Sequence, residues 1–361
     1  MASLNPYKGN YPLLLIPVVI LSIVFLYLVL VSPGITKGID LAGGTLVIVR
    51  SDKAIDAEPL EELLEEEFNL AQLQVTSISS PTGGYGATVQ FASNPDLQQA
   101  ADELSLAREA LKANDPAKAQ AHALTVLDLA KRFTGAASLQ PKDAADAVEL
   151  AGLQLIAADQ AFQEQLQDAI VKSFDLGGEV RFQKKEVGAS LGKAFWDSAV
   201  MATVAAFVMV AIVIFISFRE IIPAVAITLA TAFDILCALA LMSLFKIPLD
   251  LSSIPSLLML IGYSVDTEIV LNSRLTTRKD ISPPERVMDA FYTGMTMTLT
   301  ALAAVTAMLV FSYFGQIMVI YQIAAVLLFG LLGDIVSTWF MNAPILLWYY
   351  GRKHAAGGRH R

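Results

Sequence analysis

The sequence predicts an α-helical polytopic membrane protein, a six-helix bundle with an α+β domain, itself carrying a helical insertion, between its first and second helices. Three observations predict this. Of the 361 residues, 55% are hydrophobic and only 16% charged, where a soluble globular chain has about one quarter charged. Six apolar runs are long enough to cross about 30 Å of hydrocarbon, and one long polar block separates the first from the other five. The net charge of −9 belongs to that block. Residues 33–195 hold 24 acidic and 14 basic side chains, and the rest of the chain 10 and 11.

The first run, Pro12 to Val31, follows Lys8 and stops at Ser32-Pro33-Gly34, which places a first spanning helix at 12–32. A cleaved signal peptide is the rival reading, but its apolar core is only about 7–15 residues and no small-x-small site follows cleanly here. The polar domain is expected over 33–194. Leu46-Val47-Ile48-Val49 reads as a strand and Pro59 to Phe68 as an acidic helix. Val75 to Ile78 and Ala87 to Phe91 read as strands, with the turn Pro81-Thr82-Gly83-Gly84 between them. From about 97 to 174 the composition turns to Ala, Leu, Gln, Asp and Glu. Breaks at Asn114-Asp115-Pro116 and from Thr134 to Pro141 divide that block into three helices. Gly177-Gly178 restarts an extended segment, Glu179 to Glu186. The order β-α-β-β, helical block, β fits a small α+β sandwich with an inserted helical subdomain.

A five-helix membrane bundle follows over 195–350, in the runs Phe195 to Phe218, Ile221 to Phe245, Ile254 to Asn272, Gly294 to Phe314 and Val319 to Tyr350, with a basic tail over 351–361. The tight joint Arg219-Glu220 makes a hairpin of the second and third spans. Lys8, Arg219, the loop with Arg274, Arg278, Lys279 and Arg286, and the tail Arg352-Lys353 to Arg361 all fall on one side of a six-helix alternation. Cytoplasmic loops carry the excess of Lys and Arg. Both termini are therefore expected in the cytoplasm and the acidic domain outside. Trp348, Tyr349 and Tyr350 stand where an interfacial aromatic belt would lie.

Acidic residues inside these runs are the candidate functional residues: Asp234 in the third helix, Asp266 and Glu268 in the fourth, and Asp334 in the sixth. A charge at the centre of a spanning helix costs about 2.5–3.5 kcal/mol on insertion scales, and such groups are kept for ion pathways or helix pairing. Asp266 and Glu268 are about 200° apart around a helix, so they cannot serve one face. One is expected to look into the bundle and the other toward a partner subunit or the cytoplasmic water. Arg274, two turns beyond Asp266, can pair with a carboxylate or snorkel to the headgroups. The functional reading is a proton relay or gate. The structural one is hydrogen-bonded glue between helices, at about 0.6 kcal/mol per pair. Small residues in the fifth helix, from Gly294 to Ala304, suit close packing.

Other chemistries are excluded or unsupported. The lone Cys237 sits in an apolar run and can make neither an internal disulfide nor a metal cluster. No metal site and no cofactor are expected, and an acidic domain does not suit nucleic acid. The glutamates from Glu61 to Glu67 read as a solvated helix face. Gly83-Gly84 with Gly86 lacks the Lys-Ser/Thr of a phosphate loop. No nucleophile–base pair is visible, and Leu332-Gly333-Asp334 lacks the first glycine of an intramembrane aspartyl protease motif, so no catalytic site is expected.

Two stretches carry a family resemblance. Gly38-Ile39-Asp40-Leu41-Ala42-Gly43-Gly44-Thr45, just after the first helix, resembles the opening motif of the SecD/SecF protein-export family. Ile261-Gly262-Tyr263-Ser264-Val265-Asp266, followed by Ser273-Arg274, resembles the fourth-helix motif of that family's SecF branch. Bacterial members have Asn-Asp where this chain has Asp266-Thr267, and the stretch Gly330, Asp334, Trp339 with Asn342-Ala343-Pro344 looks more like archaeal members. The resemblance covers both ends of the external domain and all the membrane helices. It implies the six-helix half of an RND-type transporter with a ferredoxin-like external domain, smaller than the one here. It also implies an accessory subunit of the Sec machinery in the cell membrane, pairing with a SecD-like subunit, attached to the translocon channel, touching unfolded polypeptide and membrane lipid, and drawing on the proton gradient. Asp234 and Arg274 match the positions the family links to proton passage. An RND-type exporter of small molecules or lipids and a purely structural translocon assembly factor are the rival functions.

Overall fold

The computed structural model describes residues 5–357 apart from 69, 71, 81–83, 93, 136–140, 175, 177–179, 279 and 316; side chains at 79, 80, 189, 190 and 353–357 are also left undescribed. The turn over 81–83, the break over 136–140, the Gly177-Gly178 restart, Lys279 and the last tail residues lie outside that set. The chain divides into two units, Met1–Leu41 with Lys193–Arg361, and Ala42–Gly192.

The Ala42–Gly192 unit is an α+β sandwich. Strands β1 (Gly44–Ser51), β2 (Gln74–Ser80), β3 (Gly84–Phe91) and β4 (Arg181–Val187) form one antiparallel sheet in the order β2-β3-β1-β4. Residues on one side of the pleat are apolar: Val47 and Val49 on β1, Ala87, Val89 and Phe91 on β3, and Val75 on β2. The period of two thus sends one face to the core. Two helices cover that face. The first is α3 (Ala57–Phe68), whose Leu60 and Leu64, one turn apart, are buried while Glu65 to Glu67 stay exposed. The second is the C-terminal half of a long helix, Ala144–Ser173, through Phe162, Leu166 and Ile170. Phe162 sits edge-on to Phe68, Phe91 and Phe133, at centroid distances of 5.9, 6.2 and 5.9 Å. This is the ferredoxin-like β-α-β-β-α-β arrangement.

The helical block expected over 97–174 therefore has two roles. Helices α4 (Pro95–Lys112) and α5 (Pro116–Thr134) and the first half of α6 (Ala144–Ser173) make a separate three-helix core of small residues, among them Ala107, Ala119, Ala123, Ala147 and Ala151. The second half of α6 completes the sandwich itself. Each helix starts on an identifiable cap. Asn94, Asp115 and Asp143 accept from backbone N–H groups of the first turn, and Pro95 and Pro116 supply fixed first residues.

Among the described residues, the other unit has six helices long and apolar enough to cross a membrane: Tyr11–Leu30, Leu191–Phe218, Ile221–Leu244, Ser253–Thr277, Pro283–Gly315 and Met318–Arg352. They comprise α1 (Leu15–Leu30), α7 (Ala189–Phe218), α8 (Ile221–Leu244), α9 (Ser253–Thr277), α10 (Pro283–Gly315), and α11 (Met318–Val336) continued by α12 (Ala343–Gly357); α2 (Ile39–Ala42) is a single turn after α1. Helix α10 starts about three turns before the expected Gly294. There the Ser282 N–H donates to Glu285 Oε2 at 3.3 Å, the Glu285 N–H donates to Ser282 O at 2.9 Å, and Pro283-Pro284 follow Ser282. Between α11 and α12 lies a π-helical segment, Ser337–Asn342, which the apolar run alone does not signal. Glycines set the closest approaches. A Cβ at Gly330 would meet Leu260 Cδ2 at 2.2 Å, and one at Gly294 would meet Trp339 at 2.7 Å.

Candidate functional site: a buried carboxylate cluster

Four elements of the bundle converge on three carboxylates. Asp234 on α8, Glu268 on α9 and Asp334 on α11 are fully buried. Asp234 Oδ2 accepts from Ser264 Oγ at 2.5 Å and Oδ1 from Ser337 Oγ at 2.6 Å. Asp334 Oδ2 accepts from Thr267 at 3.2 Å and from Thr298 of α10 at 3.3 Å. Thr338 Oγ1 lies 3.2 Å from Asp334 Oδ1 and 3.1 Å from Glu268 Oε1. That hydroxyl has one proton to give. It can satisfy both carboxyl groups at once only when one of them carries a proton and donates back.

Local sequence explains how these groups meet. Ser264, Thr267 and Glu268 recur at three and four residues, so they share one face of α9. On the last span Asp334, Ser337, Thr338, Trp339 and Asn342 are all buried. Asp334, Ser337, Thr338 and Asn342, at i, i+3, i+4 and i+8, fall on one face of the helix. At the start of the π segment Ser337 reaches Asp234 and Thr338 reaches Glu268, and π segments are often found at functional sites. Among the described residues no Lys, Arg or His forms an ion pair with any of the three carboxylates. Glu268 Oε2 and Asn272 Nδ2 are buried with no hydrogen-bond partner among the described residues. One turn beyond Glu268, Asn272 Oδ1 is 2.9 Å from the Tyr350 hydroxyl, which also lies 3.0 Å from Glu220 Oε2.

The other sequence-predicted residues fall elsewhere. Asp266 is exposed on the opposite face of α9, in a stripe with Met259, Gly262, Tyr263 and Ile269. Arg274 is not part of the cluster. Its Nη1 pairs with Asp289 Oδ2 of α10 at 3.0 Å, and Arg278 reaches the same oxygen at 3.3 Å. Arg286 is buried and caps the end of α9 by donating to Leu275 O at 3.0 Å. Of the fourth-helix motif, Ser264 is thus in the cluster, while Gly262 and Tyr263 face outward. The motif after α1 holds backbone in place. Gly38 donates from its N–H to Leu249 O at 2.9 Å, and a Cβ there would overlap the Asp250 carboxylate at 1.6 Å. Asp40 lies in the α2 turn. Gly43 and Gly44 adopt φ of +79° and +138°, a Cβ on Gly44 would lie 2.5 Å from Phe91 O, and Thr45 is buried on β1.

The chain is similar to known proteins. The profile described as "Protein export membrane protein SecD/SecF, C-terminal" matches residues 167–352, and "SecD/SecF GG Motif" matches 28–55. The protein-export membrane protein SecF of Methanothermobacter thermautotrophicus is 31% identical over 95% of this chain and 93% of its own length. This chain belongs to the SecD/SecF protein-export family. Another SecF, from Haloquadratum walsbyi, is 27% identical over 94% of this chain and 93% of its own. The SecF of Methanolacinia petrolearia reaches 43% over 45% of this chain, a match that spans 58% of that protein. The crystal structure of SecDF from Thermus thermophilus, described as a translocon-associated membrane protein, superposes with a TM-score of 0.60 at 17% identity. That superposition covers 95% of this chain and 38% of the SecDF chain, and it shows a shared fold. The sequence marks Asp234, Glu268 and Asp334 but gives no such role to Ser337, Thr338 or Thr298. Hydroxyl residues are common in spanning helices, so only the spacing Asp334-x-x-Ser337-Thr338 could have marked them.

Proposed function

We propose that this chain is an accessory subunit of the Sec protein-export machinery, acting with a SecD-like subunit beside the translocon channel and coupling the proton gradient to polypeptide export. The buried cluster of Asp234, Glu268 and Asp334 carries this reading. Hydroxyls of α9, α10 and the last span hold the three carboxylates, Thr338 is shared by Asp334 and Glu268, and among the described residues no cation pairs with them. A proton that arrives or leaves changes the charge of the helix interface itself. The hydroxyl bonds between α8, α9, α10 and the last span then have to rearrange, which biases their packing between two states. A potential of 100 mV supplies about 2.3 kcal/mol per charge moved, comparable to a few such bonds.

In this reading both termini face the cytoplasm and the α+β unit lies outside, as the basic residues from Lys8 to Arg352 favour. The exposed stripe of α9 with Asp266 meets the SecD-like subunit, because a carboxylate turned to lipid is costly. Arg274 with Asp289 ties α9 to α10 at the cytoplasmic end, outside the relay. The relatives are named as export membrane proteins, and the chain acts here by moving polypeptide, without catalysis. Purification of the chain from mild-detergent membranes tests the partners. Co-purification of a SecD-like subunit and the translocon pore is expected. A chain recovered only with itself would bring forward a small-molecule or lipid exporter.

A further inference from the structure

The helical block has no role in the relay, yet it builds a cavity. A space of about 310 Å³ lies between the sheet of the α+β unit and helices α4 and α6. Its floor is apolar, with Val47, Phe91, Leu97, Leu155, Phe162 and Leu166. Its rim is polar and mostly acidic: Asp102, Asp159, Glu186 and a single cation, Lys184. Lys184 Nζ is already held by Asp159 at 2.9 Å and Glu186 at 2.6 Å, so the rim keeps an excess of negative charge. Ala101, Asp102, Glu186 and Gly188 are solvent-exposed, which opens one side of the cavity. Gln98 and Gln163 add amide groups beside the apolar floor. Leu97, Gln98, Ala101, Asp102 and Ser105 of this wall come from α4, which a minimal sandwich lacks.

We propose that this cavity is a binding site for an unfolded polypeptide segment, taking one bulky apolar side chain, with a basic neighbour on the acidic rim. The volume suits the proposal. Small-ligand sites begin near 300 Å³, room for a Phe or Leu side chain but not for a folded element. Charge selects the segment: Asp102 and the net negative rim attract Lys or Arg, and the glutamine amides can pair with an extended backbone. A site with one pocket and a charged rim binds many sequences weakly, which is what a passing chain requires. This inference rests on the export reading and names what the α+β unit of that subunit contacts.

The test uses the purified full-length chain in lipid nanodiscs and a short, flexible, fluorescent peptide with a central Phe flanked by Lys. Anisotropy is expected to show binding that falls at least tenfold for the Phe→Ser peptide and several-fold for the Lys→Glu peptide. Ala101→Trp and, separately, Ser105→Trp fill the opening from exposed positions and should each weaken the Lys-Phe peptide at least tenfold while unfolding temperature is unchanged. Asp102→Lys should narrow the preference for Lys over Glu. Undiminished binding by both Trp variants, or equal binding of the Phe and Ser peptides, overturns the proposal. Export in cells separates the two levels. If Ala101→Trp exports normally where deletion of the chain does not, the cavity assignment fails and the export reading stands. If deletion of the chain leaves export untouched, the export reading fails on its own.

Discussion

At the residue scale the decisive groups are the hydroxyls that hold the carboxylates. Thr338 bridges Asp334 and Glu268, and Ser337 bridges the last span to Asp234. Thr338→Val keeps the shape and removes that bridge, leaving two buried carboxyl oxygens each short of a partner. A buried polar group left unpaired costs about 1–3 kcal/mol, so Thr338→Val should lower the unfolding temperature and slow gradient-driven export, where Thr338→Ser should rescue both. Unchanged export in Thr338→Val would remove this hydroxyl from the relay. The carboxylates were legible in the sequence because an acid in an apolar run stands out. Their partners were not, since Ser and Thr occur throughout these helices and bond back to their own carbonyls, as Thr231, Thr276 and Thr293 do here. Arg274 shows the opposite limit. The sequence offers it a carboxylate or the headgroups without naming which, and its long side chain finds Asp289, fifteen residues on and across a helix boundary.

At the element scale, helix contact is governed by glycine and by the π segment. Gly330→Leu would drive a side chain into Leu260, which a regular α9–α11 contact cannot yield without separating the helices. The account expects misassembly or loss of the chain from the membrane, read by protease sensitivity; normal accumulation would show that the two helices are not locked there. In the α+β unit Phe162 joins α6 to the sheet and to α5. Phe162→Ala should cost about 3–5 kcal/mol, the range for burying less of a large aromatic, seen as a lower unfolding temperature of the full chain. The strands and the acidic helix α3 were readable from alternation and from Leu60 and Leu64. The division of α6 between two cores was not, because one continuous apolar stripe serves both. The π segment escaped for a related reason. It changes the number of residues per turn without changing composition.

At the scale of the whole molecule, charge separates the two units. The acid excess is concentrated in the polar block, which the export reading places outside the membrane. One ion cluster there gives a pH signature. Burial alone would lower the Lys184 pKa, but the hydrogen bonds that it donates to Asp159 and Glu186 outweigh it and hold the ammonium above its ordinary 10.5. The folded value is thus above the unfolded one. The stabilisation is complete below about pH 10.5 and is lost as pH rises through the folded value. Lys184→Met should therefore be less stable than the parent at pH 8, with the gap closing at higher alkaline pH; a gap independent of pH would deny the cluster that role. Six spans and their order followed from hydropathy alone. What hydropathy cannot supply is which polar groups face each other, because that depends on helix rotation and on the extra residue of the π turn.

The central claim is that protonation of the buried cluster drives export. It is tested most directly by measuring translocation into inverted membrane vesicles, with and without an imposed proton gradient, for the parent and Asp234→Asn. The gradient is expected to speed translocation in the parent by several-fold and to leave Asp234→Asn at its gradient-free rate, with the variant still present and still bound to its partners. A response to the gradient in Asp234→Asn equal to that of the parent would contradict it.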